Sequence, residues 1–332
     1  MKISTLFFII ITLILIFTKN ISLKLYKNLK SYSKNPSVIT IGTFDGVHLG
    51  HQKIINRLID VANEKQLEST ILTFFPHPRM VLQKNVEIKL INTIDEREAI
   101  LSNSDINNLV VKKFTKEFSK LSAHDYVKQI LVDGLNAKHI IIGYDHRFGK
   151  NRRANIEDLK VFGNEYGFIV EEIAVKDIDD VAVSSTKIRT ALLQGDIETA
   201  NSYLGYTFFI TGNIIRGKGI GKELGFPTAN LNVKEHYKLI PKNGVYTVKS
   251  KINNKDVYGM MNIGTNPTFN EENQSIEIHF FDINQNLYNK VLKIEILKRL
   301  RDEKKFDTIE DLKSQLHIDQ LNAKQYLTSL NE

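Results

Sequence analysis

Apolar runs of four to seven residues alternate with amphipathic stretches between residue 37 and about residue 205. The runs are rich in Val, Ile and Phe and predict buried strands, whereas apolar spacings of three and four predict helices. The predicted strands are Val38–Ile41, Thr70–Phe75, Leu109–Lys112, His139–Gly143 and Phe168–Ala174. The predicted helices are His51–Lys65, Asp95–Leu101, Ala123–Leu131, Ile156–Tyr166 and a helical region over Ser185–Leu204. Such alternation predicts a parallel sheet with crossover helices.

The pattern changes near Tyr206, where short β-type runs begin, separated by Gly, Asn, Asp and Pro. This spacing is typical of a small antiparallel barrel. The predicted strands are Thr207–Ile214, Gly244–Ile252, Lys255–Ile263, Ser275–Phe281 and Lys290–Leu297, followed by one or two helices over Thr308–Leu330. With 332 residues, the chain is long enough for two domains with separate cores, an α/β unit and a β unit.

The positive charge of the chain is concentrated at its start. The formal net charge is +7, from 45 basic and 38 acidic residues, but residues 1–36 hold six lysines and no acid. Removing those six leaves 39 basic residues against 38 acidic ones. Nucleic-acid grooves need a clustered positive excess, so we predict no nucleic-acid partner.

Residues 1–36 form an apolar, lysine-rich leader. The apolar segment 3–17 is shorter than the roughly 20 residues that cross a bilayer comfortably, and no small-residue cleavage site follows it. A membrane anchor, a secretory signal and an extension without function are the three interpretations, and the last is favoured. Membrane contact is expected only if the leader is retained. The lysines after the segment favour a cytoplasmic location, with a possible N-terminal tether, through the positive-inside bias.

The first candidate site is the segment 42–51, with sequence GTFDGVHLGH, where a strand gives way to a helix. Glycines allow the backbone to approach a ligand closely. The beginning of a helix offers free N–H groups and a positive dipole end to an anion. His48 and His51, three residues apart, can both donate to that anion as charge builds on it. The segment therefore predicts a phosphate site, with packing or capping as the alternative role of each histidine.

The second candidate site follows a loop with glycines at 217, 219 and 221. Backbone amides of such a loop can surround phosphates, and Lys222 adds charge. The segment 227–230, PTAN, comes next, and its Thr228 and Asn230 supply neutral oxygens that suit Mg²⁺. Strand alternation in the segment 276–282, IEIHFFD, places Glu277 on the same face as His279.

These motifs, in this order, resemble those of the prokaryotic bifunctional riboflavin kinase/FAD synthetases. Further matching segments are TFFPHP (73–78), FTKEFSKLSA (114–123), IGYDHRFG (142–149) and VSSTKIR (183–189). The resemblance runs from about residue 37 to the C-terminus and leaves out the leader. It implies a Rossmann-like HxGH nucleotidylyltransferase domain over 37–205, then a small antiparallel β-barrel riboflavin kinase domain over 206–332 with a C-terminal helix.

The resemblance also implies roles for particular residues of the first domain, FMN adenylyltransferase. His48 and His51 are the expected catalytic residues there. The expected ATP-binding residues are Gly42, Phe44, His48, His51, Ser185, Thr186 and Arg189. Hydroxyls and a guanidinium at a helix start are good donors to phosphate oxygens, although such serines often only cap a helix. Asp145 is expected to place flavin or ATP. His77, between two prolines, either faces the site or serves a structural turn.

In the kinase domain the resemblance makes Glu277 the general base for the ribityl hydroxyl. Its expected ATP-binding residues are Gly217, Gly219, Gly221, Lys222, Thr228 and Asn230. Thr228 and Asn230 are also the expected Mg²⁺ ligands. Asn262, Glu277 and Arg301 are the expected flavin-binding residues, with a surface role as the alternative for Arg301. In the turn 287–289 the family has a glycine after the tyrosine, whereas this chain has Asn289. Because Asn tolerates positive φ, we expect the turn to form here as well.

The expected function is phosphorylation of riboflavin to FMN, then adenylylation of FMN to FAD with release of pyrophosphate. Riboflavin, FMN and ATP are the expected small-molecule substrates, with Mg²⁺ accompanying ATP. Alternatives are an enzyme with one decayed module, an adenylyltransferase for another acceptor, and a flavin- or RNA-binding regulator without turnover. The two intact signatures disfavour the first two, and the nearly neutral body disfavours RNA. The pattern leaves the oligomeric state open.

Overall fold

The computed structural model describes residues 22–83, 88–143, 146–173, 183–217, 219–265, 274–283 and 285–330. The chain divides into two compact units. The first unit comprises residues 1–43, 53–84 and 98–175, and the second unit comprises residues 44–52, 85–97 and 176–332. The apolar segment 3–17 of the leader lies outside the described residues.

Helical structure is present at every predicted position, and two short helices, Pro78–Leu82 and Ile220–Glu223, were not predicted. The α-helices are Leu49–Lys65 (α1), Pro78–Leu82 (α2), Ile94–Leu101 (α3), Ala123–Tyr126 (α4), Ile156–Tyr166 (α5), Ser185–Gln194 (α6), Ile197–Leu204 (α7), Ile220–Glu223 (α8) and Ile309–Ser329 (α9). A π-helix, Val127–Val132, continues α4. The predicted helical region 185–204 is divided in two, because Gly195 has φ +83° and ends α6. Asp196 then caps α7 by accepting a 3.0 Å hydrogen bond from the Thr199 N–H.

A six-stranded parallel sheet forms the centre of the first unit, as predicted. Its strands are Lys24–Tyr26 (β1), Ser37–Ile41 (β2), Glu68–Phe75 (β3), Asn108–Lys113 (β4), Ala137–Gly143 (β5) and Ile169–Ile173 (β6). They lie in the order β1-β4-β3-β2-β5-β6. All five residues of β2 are buried, as the run of apolar residues predicted. The strand order reverses between β2 and β5, the kind of switch point beyond which open α/β sheets bind ligands.

Residues 22–36, which the sequence analysis placed in the leader, take part in this first unit. β1 pairs in parallel with β4, from Lys24 opposite Asn108 to Tyr26 opposite Val110. Tyr32 is only 4% exposed and belongs to the same hydrophobic core as the sheet. Its hydroxyl lies 2.9 Å from Thr70 Oγ1. A single buried tyrosine and a three-residue edge strand gave too weak a pattern to be recognised beside the strongly apolar segment.

A closed antiparallel barrel forms much of the second unit, which confirms the predicted change of architecture. Its strands are Phe209–Ile215 (β7), Ala229–Asn232 (β8), Gly244–Ile252 (β9), Lys255–Gly264 (β10), Ser275–Phe280 (β11) and Val291–Arg301 (β12). They close in the order β10-β11-β8-β7-β12-β9. Burial alternates along β11, so that Glu277 and His279 share one face as predicted. Asn289 has φ +63°, so the expected turn is present without glycine.

The core of the second unit includes residues from outside the barrel. Ile91, Ile188 and Leu204 pack in one cluster with barrel residues such as Tyr246. Among the residues with a described structure, no helix has both the length and the apolar character that crossing a membrane requires.

Candidate active sites

The segment 44–48 and the beginning of α1 bring the two motif histidines together in the second unit. The His48 carbonyl accepts a 2.9 Å hydrogen bond from the Gln52 N–H, which places His48 at the start of the helix. The imidazole rings of His48 and His51 are stacked, with centroids 3.7 Å apart and planes 20° apart. The ring of Phe44 lies 5.0 Å from that of His51. Both histidines therefore occupy the helix end that the sequence predicted as an anion site.

Burial keeps both histidines neutral. His48 is 6% exposed, and its burial lowers its pKa to about 4, with Asp45 opposing and Arg189 adding to the shift. Burial also lowers the pKa of His51 well below its usual value, assisted by the charges of His48 and Arg97. The Nδ1 atoms of His48 and His51 are buried and have no hydrogen-bond partner among the described residues. An anionic ligand would supply the missing acceptors and favour protonation.

Asp45 organises this site, although the sequence analysis assigned it no role. Its carboxylate is 1% exposed and accepts hydrogen bonds from the N–H groups of Ile91 at 2.9 Å and Asn92 at 3.3 Å. Its other oxygen accepts a 2.9 Å hydrogen bond from Arg189 Nη2. Arg97 Nη2 lies 3.7 Å from Asp45 Oδ1. Two guanidinium groups are thus held beside the histidines by one buried carboxylate.

The neighbouring residues Ser184, Ser185 and Thr186 at the start of α6 have different surroundings. Ser184 is the cap of the helix and accepts a 3.3 Å hydrogen bond from the Lys187 N–H. Ser185 instead donates to the Asp45 carbonyl at 2.8 Å, so it joins the histidine loop. Thr186 is exposed in the first turn. The structure therefore links Ser185 and Arg189 to Asp45, and leaves Thr186 at the surface.

Three further residues were named for this first site: Gly42, His77 and Asp145. Gly42 belongs to the first unit, where its N–H donates to the Leu72 carbonyl at 3.1 Å. His77 caps α2, with Nδ1 accepting a 3.2 Å hydrogen bond from the Arg79 N–H, which is the structural role that the sequence left open. Asp145 lies outside the described residues.

A cavity of about 250 Å³ opens within the second unit and gathers almost every residue predicted for the second site. Its lining includes Gly217, Gly219, Gly221, Thr228, Asn230, Asn262, Glu277 and Arg301. Lys222 is exposed on α8 and is not part of the lining. None of the residues of the histidine site lines this cavity, so the two candidate sites are separate.

One wall of the cavity is built by three adjacent strands. Glu277 on β11 lies opposite Asn230 on β8 and Asn262 on β10. Thr228 Oγ1 donates to Glu277 Oε2 at 3.0 Å, and Ser275 Oγ lies 3.4 Å from Glu277 Oε1. The barrel register thus places one carboxylate among neutral oxygens and amides, a set that can accept a proton and approach a cation.

The glycine-rich loop allows close approach at this wall. A Cβ on Gly217 would collide with the side chain of Asn230, and one on Gly221 would collide with the Phe226 carbonyl. Gly219 has φ +82°, in the left-handed region that glycine favours. His279 Nδ1 lies 2.9 Å from the Pro227 carbonyl and so ties the motif 227–230 to β11.

Another part of the lining involves α9, which contributes Leu312 and Leu316. Arg301 forms a two-pronged ion pair with Asp319, with Nε to Oδ1 at 2.9 Å and Nη2 to Oδ2 at 2.7 Å. Asp319 is 1% exposed and also accepts a 3.0 Å hydrogen bond from Gln315 Nε2. Asp319 was missed in the sequence because an isolated acid in an amphipathic helix looks like a solvated residue. A buried carboxylate at this position fixes a guanidinium at the cavity edge.

Comparisons with known proteins identify a family for each part of the chain. The FAD synthetase family model matches residues 30–187, and the riboflavin kinase family model matches residues 204–327. The first match begins at residue 30, within the segment that the sequence analysis placed in the leader.

Curated relatives match over most of their own length. The bifunctional riboflavin kinase/FMN adenylyltransferase of Bacillus subtilis is 38% identical over 89% of this chain and 94% of the relative. The protein of the same description from Escherichia coli K12 is 30% identical over 92% of this chain and 98% of the relative. A solved structure described as a macrolide-efflux protein from Streptococcus pneumoniae is 30% identical, with a TM-score of 0.79 over 91% of this chain and 98% of that one.

Proposed function

Because this chain belongs to the bifunctional riboflavin kinase/FMN adenylyltransferase family, we propose that each of the two reactions has its own site within the second unit. The chain phosphorylates riboflavin to FMN and adenylylates FMN to FAD. Riboflavin, FMN and ATP are its small-molecule substrates. The observation that carries the proposal is that the cavity around Glu277 and the pair His48–His51 share no residue.

The barrel cavity is the proposed kinase site. Glu277 takes the proton of the ribityl 5′-hydroxyl as that oxygen attacks the γ-phosphorus of ATP, and ADP leaves. Thr228 orients the carboxylate through its 3.0 Å hydrogen bond. The glycines 217, 219 and 221 let the backbone come close to the ATP phosphates. Asn262 and Arg301 bind the flavin, and Lys222 adds charge from the surface.

Mg²⁺ fits the donor set of this cavity. The side chains of Thr228 and Asn230 offer neutral oxygens next to the Glu277 carboxylate. Within the described part of the chain, no group of three or more His, Cys, Asp or Glu residues could hold a metal ion. Mg²⁺ usually shares its ligands between protein oxygens, substrate phosphates and water, so bound ATP would complete the set. Mg²⁺ would neutralise charge on the transferred phosphoryl group.

The histidine site is the proposed adenylyltransferase site. An oxygen of the FMN phosphate attacks the α-phosphorus of ATP, and the bond to the β-phosphate breaks to release pyrophosphate. His48, His51 and Arg189 stabilise the charge that builds on the phosphates, and Ser185 and Phe44 shape the loop. Such a transfer requires positioned donors rather than a covalent nucleophile. Gly42, Thr186 and Asp145 remain predictions from the resemblance.

We assign residues 37–205 to adenylyl transfer and 206–332 to phosphorylation, supported by family matches at 30–187 and 204–327. The two compact units do not follow this assignment, because residues 44–52 and 85–97 belong to the same unit as the barrel. We also propose a cytoplasmic location, supported by the lysines that follow the apolar segment 3–17.

A mixing experiment tests the separation of the sites. Glu277→Gln should fail to convert riboflavin, and His51→Ala should stop at FMN. A mixture of the two purified variants with riboflavin, ATP and Mg²⁺ should restore FAD, because each supplies the step that the other lacks. Products are followed by chromatography. If the two variants lose the same step, the mixture makes no FAD and the assignment of the sites is wrong.

A further inference from the structure

We infer that Glu96 and Lys238, a buried ion pair far apart in sequence, are positioning residues for adenylyl transfer. They connect the barrel to the segment that holds Asp45, and through Asp45 they set the place of Arg189. The inference rests on the proposed role of Arg189 at the histidine site. All four side chains belong to the second unit.

The ion pair is buried and its ammonium group is fully satisfied. Lys238 Nζ lies 2.6 Å from Glu96 Oε2, and the exposed fractions of the two side chains are 0% and 2%. The ammonium also donates to the carbonyls of Ile91 at 2.6 Å and Phe209 at 2.8 Å. An ammonium has three protons to donate, and all three have acceptors here. Phe209 is the first residue of barrel strand β7, so Lys238 joins that strand to the segment 88–97.

Glu96 makes the same connection from its own side. Its Oε1 accepts a 2.9 Å hydrogen bond from the N–H of Thr211 in β7. Its Oε2 accepts a 3.0 Å hydrogen bond from the Thr93 N–H. The backbone adds a short bridge, in which the Leu90 N–H donates to the Tyr237 carbonyl at 2.6 Å and the Leu239 N–H donates to the Leu90 carbonyl at 2.7 Å. The segment 88–97 is therefore bonded near one end to residues 237–239 and near the other end to strand β7.

Ile91 carries the connection to the histidine site. Its carbonyl accepts from Lys238, while its N–H donates to Asp45 Oδ1 at 2.9 Å. Asp45 in turn holds Arg189 at 2.9 Å and accepts at its carbonyl from Ser185 at 2.8 Å. A displacement of Ile91 would thus move the carboxylate that fixes Arg189. A single residue, Ile91, therefore links the buried ammonium to that carboxylate.

The cost of burying this pair argues that it does more than stabilise the core. Burial of charges is expensive, and apolar replacement of a complete buried pair is often neutral or stabilising. The burial of Lys238 lowers its pKa, which the attraction of Glu96 opposes. An apolar pair would fill the same space, but it would give the carbonyl of Ile91 no donor and the N–H of Thr211 no acceptor. Directional bonds, rather than volume, are what this position supplies.

The test uses the full chain and a double variant, E96Q/K238M. This variant keeps the size of both side chains and removes both charges, so that no unpaired charge stays buried. Its matched control is Lys249→Met, which removes a lysine paired with Asp256 at the surface of the barrel. Arg189→Ala tests the proposed function itself. Two rates are measured for each protein: FAD formation from supplied FMN over a range of ATP concentrations, and FMN formation from riboflavin.

The double variant should raise the KM for ATP in adenylyl transfer roughly tenfold and lower kcat, with the kinase rate within about twofold of wild type. Lys249→Met should behave as wild type in both assays. Equal loss of both activities, or an unchanged KM and kcat for adenylyl transfer, would overturn the inference. If E96Q/K238M is insoluble, Glu96→Asp takes the same test, because it keeps the charge and shortens the reach by one methylene. If Arg189→Ala leaves adenylyl transfer intact, the proposed function fails instead.

Discussion

Thr228 Oγ1 donates a 3.0 Å hydrogen bond to Glu277 Oε2 within one wall of the barrel cavity. The hydroxyl belongs to the loop that precedes β8, and the carboxylate belongs to β11. Because β8 and β11 are paired with Asn230 opposite Glu277, the geometry of this bond is set by the register of the barrel. The carboxylate that we propose as the catalytic base is therefore oriented by a residue of the motif 227–230.

Thr228→Val, which removes this donor but keeps the shape, should lower the rate of FMN formation. Hydrogen bonds to charged groups contribute about 1.5–3 kcal/mol, so the loss should be roughly 10- to 100-fold. Thr228→Ser keeps the hydroxyl and should retain most of the rate. Steady-state kinetics with riboflavin, together with FAD formation from supplied FMN, measures the effect. A comparable loss in Thr228→Ser would contradict a role for the hydroxyl.

The low pKa of His48 predicts how stability depends on pH. Its folded pKa of about 4 lies below the 6.5 expected in the unfolded chain. Between these values the unfolded state binds a proton that the folded state does not, so stability should fall as pH falls from about 6.5 to about 4. The shift in the pKa of His48 changes the free energy of unfolding by roughly 3 kcal/mol at most. Urea unfolding at several pH values measures the free energy of unfolding of wild type and of His48→Gln.

His48→Gln should lose less stability than wild type over this interval, because Gln does not titrate. His51 acts in the same direction, since burial also lowers its pKa, so some pH dependence should remain in the variant. The free energy of unfolding of the two proteins could instead depend on pH in the same way between pH 6.5 and 4.5. That result would show that the folded protein does not hold His48 neutral.

Asp319→Asn should weaken the binding of riboflavin more than that of ATP. The change removes the charge that holds Arg301 at the edge of the cavity, while the size of the side chain stays the same. We expect the free energy of riboflavin binding to weaken by about 1–1.4 kcal/mol, because Arg301 is no longer held in place. The KM for riboflavin should therefore rise roughly fivefold to tenfold. The control is Asp311→Asn, an exposed acid on the same helix. Equal changes in both KM values would favour a general effect on the barrel instead.

Removal of residues 22–36 should destabilise the protein. A chain of residues 37–332 lacks β1 and the buried Tyr32, whereas a chain of residues 22–332 keeps both. Loss of one large buried aromatic side chain costs about 3–5 kcal/mol, so the shorter chain should unfold at clearly lower denaturant concentration. Tyr32→Phe in the longer chain should lower the free energy of unfolding by only about 1 kcal/mol, because it removes only the hydrogen bond with Thr70. Equal midpoints for the two lengths would show that β1 and Tyr32 contribute nothing.

The architecture could be predicted from the sequence because its signals are local. Five strands of the sheet and five of the barrel follow from runs or alternation of apolar residues, which record burial along a few neighbouring residues. β8 was missed because Ala229–Asn232 is four residues long and only Leu231 is buried in it. β1 was missed for a similar reason, with no fully buried residue in Lys24–Tyr26. Short strands are defined by their partners rather than by their own pattern.

The sequence by itself determined the family and the two reactions, and it predicted most of the residues that line the barrel cavity. The motifs are contiguous segments of the chain, so their resemblance to those of the family can be recognised without the fold. The glycine loop and the alternating strand glutamate also have local chemical requirements. Only the tertiary structure decided that Asp45 holds Arg189, that Asp319 holds Arg301, and that Lys238 fastens the segment 88–97 to the barrel. These partners are between 18 and 147 residues apart, and a buried charge has the same sequence pattern as an exposed one. Burial, which makes each of these charges depend on one partner, arises only when the chain folds.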